Sequence, residues 1–109
     1  MVDAKKIFDY VVIGAGSGGI ASARRAAQHG KKVAIIENRR IGGTCFNVGC
    51  VPKKVMFNLA TFLEDTELFK HYGVSYGGDV KLDFAKFKQA RDAYVTRLNG
   101  IYKKNLEGS

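Results

Sequence analysis

Residues 8–37 read FDYVVIGAGSGGIASARRAAQHGKKVAIIE, and the order of patterns within them decides the fold. Phe8 to Ile13 is a short β-branched and aromatic run ending at glycine, the mark of a buried strand. Ser17 to His29 carries small, helix-tolerant residues, and Gly30 supplies a stop. Lys32 to Glu37 is a second buried strand. Strand, glycine turn, helix and strand within roughly 30 residues make a βαβ unit.

Within that unit, Gly14-Ala15-Gly16-Ser17-Gly18-Gly19 fits G-x-G-x-x-G, and Glu37 ends the next strand. The setting gives the motif its meaning: it follows a strand, opens a helix and precedes an acid. Gly14 permits the turn, Gly16 lets main chain approach a pyrophosphate, and Gly19 lets helix and strand pack closely. The free N–H groups of the helix start favour an anion. Glu37 is placed to accept hydrogen bonds from ribose hydroxyls, and its charge would repel a 2′-phosphate. The expected ligand is therefore FAD or NAD, not NADP.

Downstream, Arg39 to Cys50 holds Gly42, Gly43 and Gly49 and reads as a loop. Pro52 suits the first turn of a helix. Val55, Leu59, Phe62 and Leu63 carry that helix to about Lys70. His71 to Leu82 reads as a loop with room for a short strand pair. A last helix starts near Asp83, a candidate N-cap, and fades around Asn105. Its apolar side would be Phe84, Phe87, Ala90, Tyr94, Leu98 and Ile101. The fold class is α/β: an incomplete Rossmann-like FAD- or NAD-binding domain, with a βαβ unit plus two further helices. Residues 1–109 would form the N-terminal part of that domain, with at least one more strand to follow. Such a unit leaves apolar surface for a partner, a cofactor or further chain to cover.

The 109 residues carry 18 basic and 10 acidic side chains, a net charge of +8. The basic residues fall in scattered pairs (Lys31-Lys32, Arg39-Arg40, Lys53-Lys54, Lys103-Lys104), which fits small anionic sites better than a nucleic-acid stripe. No membrane span or secretory signal is visible, and a cytoplasmic location is expected, with a mitochondrial form as the alternative.

Cys45 and Cys50 are the two cysteines. Five residues of regular helix rise about 7.5 Å, more than a disulfide spans, so a bond between them needs irregular backbone, which Gly49 can provide. Cys50 at the head of a helix, near Lys53 and Lys54, would favour a thiolate. Two buried thiols remain the alternative. A metal site is the weaker one, because His29 and His71 stand far from the loop and no second cysteine pair exists.

Residues 42–54, Gly42-Gly43-Thr44-Cys45-Phe46-Asn47-Val48-Gly49-Cys50-Val51-Pro52-Lys53-Lys54, resemble the redox signature of the class I pyridine-nucleotide disulfide oxidoreductases. The resemblance runs from Tyr10 to about Leu106. It implies an enzyme in which NADPH reduces FAD, FAD reduces a Cys45–Cys50 disulfide, and the dithiol reduces the substrate. By the same resemblance Cys50 is the flavin-proximal thiol, Cys45 the attacking thiol, and Lys53 a flavin neighbour. Gly14, Gly16, Ser17, Gly18, Gly19, Glu37, Gly43 and Thr44 would lie along the FAD. Pro52-Lys53-Lys54, Arg24 and Tyr102 resemble the glutathione-reducing branch, with Ser17, Arg24 and Tyr102 against glutathione disulfide. Large thioredoxin reductases share almost the same redox motif and are the alternative, as is a non-catalytic FAD-binding piece. Phe46 stands where valine is usual. The NADPH-binding domain and the dimerisation domain, whose partner subunit supplies a catalytic His-Glu pair, have no counterpart in these residues, so the piece alone is expected to be inactive. The whole enzyme would be a homodimer.

Overall fold

Two strands carry the fold: β1 (Tyr10–Ile13) and β2 (Val33–Ile36) pair in parallel, with Tyr10 opposite Val33 and Ile13 opposite Ile36. The computed structural model describes residues 6–108; residues 1–5 and 109 of the expected domain lie outside the described residues. Helix α1 (Ser17–Gln28) connects the strands, as the pattern of residues 8–37 predicts. Both strands are shorter than their apolar runs. Asp9 stands at the edge, where its carboxylate accepts the Lys32 N–H at 2.8 Å and its own N–H reaches Lys32 O at 2.8 Å. Val12, Ala15, Ile20 and Ala23 form the buried core between α1 and the sheet. Burying one Val or Ile contributes about 1.5–3 kcal/mol, so this core is small.

Three helices follow, not two. A five-residue helix α2 (Gly43–Asn47) occupies the segment expected to be loop. Gly42 opens it at φ 104°, a left-handed geometry that favours glycine, and donates its N–H to Ala15 O at 2.7 Å. Helix α3 (Cys50–Lys70) begins two residues before Pro52. Helix α4 (Phe84–Glu107) is capped by Asp83, whose Oδ1 accepts the Lys86 N–H at 3.0 Å. The segment between α3 and α4 contains turns and bends; among the described residues it forms no strand pair.

Helix α4 docks on a face that overlaps its apolar stripe only in part, at Phe87 and Leu98. Val95 is buried and Arg91, Leu98, Asn99, Tyr102 and Leu106 are half-buried, whereas Phe84, Tyr94 and Ile101 are exposed. The docking face is partly polar because it rests on the cysteine segment, and most of the apolar stripe stands bare. The radius of gyration is 20.5 Å, against about 13 Å for a compact chain of this length. The uncovered apolar surface expected from sequence is present, with Ile13, Phe57 and Phe62 each at least 60% exposed. No described helix is long and apolar enough to cross a membrane.

Candidate redox and nucleotide site

The glycine turn is built from main chain. Gly14 has φ 101° and donates its N–H to Ile36 O at 2.7 Å, tying the turn to the end of β2. A methyl group on Gly19 would lie 2.0 Å from Gly14 O, so the close helix–strand packing expected of Gly19 is real. Gly14, Gly16 and Gly18 look onto open space. The N-cap of α1, Gly16, makes no side-chain capping bond, and the first turn holds no acidic residue. An uncapped helix start with open glycines is the cradle a phosphate group fits.

Glu37 knits this turn together. Its Oε2 accepts the Ala15 N–H and its Oε1 the Arg39 N–H, each at 2.8 Å. Each oxygen keeps a further lone pair, so ribose hydroxyls remain possible donors. The Ala15 N–H, followed by that of Arg39, holds the carboxyl below its ordinary value. A depressed carboxyl stabilises the fold above the unfolded pKa, and that contribution is lost as pH falls through the folded value. In an acid titration followed by circular dichroism, Glu37→Gln is therefore expected to narrow the stability difference between neutral and acid pH. An unchanged difference would sever this carboxylate from the turn.

The cysteines are brought together by close packing at Gly49. A methyl group there would sit 2.9 Å from Thr44 O and 3.1 Å from Cys45 Cα, so α3 starts directly against α2. This close approach is one physical use of Gly49, whose backbone (φ −122°, ψ −113°) is neither helical nor extended. Both cysteines are free thiols here, the dithiol form of the pair. At Cys50 the surroundings act against the expected thiolate. The hydrogen-bonding Cys45 side chain, with burial, pushes the Cys50 thiol up, and the charge of Lys53 only partly opposes this.

Gly43 approaches so closely that a methyl group on it would lie 2.9 Å from Gly16 Cα, placing the redox segment on the nucleotide turn. Thr44 is exposed beside it. Ser17, Arg24 and Tyr102 come together in an open recess of about 400 Å³ with Phe46 and Gly42. Among the described residues Arg24 has no ion-pair partner. Lys53 faces elsewhere, into a cleft of about 810 Å³ between α3 and α4 that it shares with Gly49 and Arg91. No group of metal-ligating side chains occurs among the described residues.

The roles of two residues, Asn47 and Asn99, escaped the sequence reading. The Asn47 amide donates to Gly43 O at 2.8 Å and to Ile41 O at 3.2 Å, and its Oδ1 accepts from Asn99 Nδ2 at 2.8 Å. The Phe46 ring meets the edge of Tyr102, with centroids 4.4 Å apart. Neither asparagine belongs to a periodic pattern, so no sequence signal joins them.

Over residues 8–107 the chain matches the family described as pyridine nucleotide-disulphide oxidoreductase. The chain belongs to that family. Among curated relatives of this oxidoreductase family, a glutathione reductase of Schizosaccharomyces pombe is 52% identical over 107 residues, covering 97% of this chain and 23% of that protein. One of Debaryomyces hansenii is 54% identical over 112 residues, with the same 97% and 23% coverage. One of Yarrowia lipolytica is 52% identical over 105 residues, covering 92% and 22%. The chain thus spans about a quarter of the length of these relatives. Membership in this oxidoreductase family implies a flavin cofactor, and the open glycine turn fits its phosphates.

Proposed function

We propose that this chain is the FAD- and dithiol-bearing part of an NADPH-dependent glutathione-disulfide reductase of the cytosol, homodimeric as a whole enzyme. The observation that carries the reading is the recess where Ser17, Arg24 and Tyr102 converge, beside the helix that holds Cys45. Its basic wall suits the carboxylates of an anionic peptide disulfide, and relatives named glutathione reductase support the choice.

When bound, FAD supplies two electrons taken from NADPH to open the Cys45–Cys50 disulfide. Gly14, Gly16, Ser17, Gly18 and Gly19 would hold its phosphates, Glu37 its ribose, and Gly43, Thr44 and Lys53 the remainder. The chain's own chemistry then runs through sulfur. Cys45, as thiolate, attacks one sulfur of glutathione disulfide, forming a mixed disulfide and releasing one glutathione as its thiolate, which takes up a proton. Cys50 next gives up its proton and attacks Cys45, releasing the second glutathione and restoring the disulfide. Two electrons and two protons pass to the substrate. The Cys45 side chain raises the Cys50 pKa, which favours Cys45 as the thiol that reacts first.

Arg24 would hold a substrate carboxylate. In the full-length protein Arg24→Ala is expected to raise the KM for glutathione disulfide roughly tenfold while kcat changes little. Steady-state assays against oxidised glutathione and oxidised thioredoxin check both substrate and arginine. Turnover on thioredoxin alone would overturn the choice of glutathione.

A further inference from the structure

Cys45 sits at the centre of a helix of five residues, far too short to hold its own shape. What holds it is the side chain of Asn47, two residues further on and three before Cys50. The Asn47 NH₂ group spends both hydrogens on carbonyls at the start of α2, Gly43 O and Ile41 O. Those two acceptors determine which end of the amide is nitrogen, so Oδ1 must face α4. Asn99 then presents its NH₂ to Asn47 Oδ1 at 2.8 Å, and its own Oδ1 is left buried without a partner. An unpaired buried acceptor costs free energy, so the contact to Asn47 is made at the expense of the other end of the Asn99 amide. One turn along α4, Tyr102 meets Phe46. Helix α4 therefore grips the segment between the sulfurs through two neighbouring residues.

We propose that Asn47 and Asn99 are positioning residues that hold Cys45 in register with Cys50, thereby setting the balance between dithiol and disulfide. The inference rests on the functional reading above, in which these two thiols are the redox pair. With the clamp intact, each sulfur meets the other at high effective concentration. Without it, α2 moves and the bond forms less readily.

The test uses the 109-residue chain equilibrated in buffers of reduced and oxidised dithiothreitol, then alkylated and weighed by mass spectrometry. In that equilibrium Cys45 and Cys50 lose two electrons and two protons to form one disulfide, and oxidised dithiothreitol takes them up. Asn99→Ala is expected to lower the equilibrium constant for disulfide formation roughly fivefold, about 20 mV for a two-electron couple. Asn99→Asp, equal in shape but unable to donate when ionised, should do the same, whereas Asn58→Ala on the exposed side of α3 should match the parent chain. A parental equilibrium constant in folded Asn99→Ala and Asn99→Asp would overturn the proposal. Loss of the helical circular dichroism signal in both would overturn it too, since the pair would then hold up the fold and not the sulfurs. A parent chain that forms no Cys45–Cys50 disulfide in any buffer would instead reject the functional reading beneath it.

Discussion

In the full-length protein Cys45→Ser is expected to leave NADPH able to reduce the flavin while glutathione reduction falls by roughly three orders of magnitude or more. A serine hydroxyl is no nucleophile toward a disulfide at neutral pH, and it cannot close a bond with Cys50. Cys50 stays at the head of α3, packed where Gly49 lets it meet α2, so the first half of the electron path keeps its geometry. Loss of flavin absorbance in a single turnover, measured beside steady-state consumption of NADPH, separates the two halves. Normal turnover in the serine variant would reject Cys45 as the attacking thiol.

The largest effect on stability is expected at Gly19. An alanine methyl there would lie 2.0 Å from Gly14 O and 3.2 Å from Val12 Cγ1, and neither neighbour can step aside. The carbonyl is main chain, in a turn tied to β2 by the Gly14 N–H. Val12 belongs to the small buried core. Helix α1 must therefore lift from the sheet, opening the packing of Ala15, Ile20 and Ala23. A loss of about 3 kcal/mol follows, a large share of the 5–15 kcal/mol typical of a folded domain. Gly18→Ala is the matched control. It faces open space within the same helix, and its stability should hold or rise by up to about 1 kcal/mol. Urea unfolding followed by far-ultraviolet circular dichroism measures both, and equal midpoints would refute the packing account of Gly19.

The βαβ unit was legible because each signal in it is local. Two apolar runs, a glycine turn and a stop at Gly30 lie within residues 8–37. Only the strand ends differ, where Asp9 takes edge hydrogen bonds that its polarity alone does not announce. Helix α2 was hidden because five residues are fewer than any periodic pattern needs, and the glycines around it read as loop. The docking face of α4 was misjudged for a related reason. Its apolar stripe is real, but Arg91, Asn99 and Tyr102 are what touch the rest of the chain.

Legibility of the site divided along the same line. The glycine motif and Glu37 follow from strand and helix signals alone. Arg24 and Tyr102 were named only through the family resemblance, and their meeting in one recess depends on how α1 and α4 lie together. The link between Asn47 and Asn99 crosses 52 positions, a distance at which a single sequence carries no pairing signal.

Where Gly43 rests on Gly16, no side chain intervenes. The gap from phosphate cradle to sulfur helix is therefore a ruler marked in peptide units, which mutation of neighbouring side chains can neither stretch nor shorten. Residues around the recess can drift while the seat of the sulfur helix on the glycine turn stays the same.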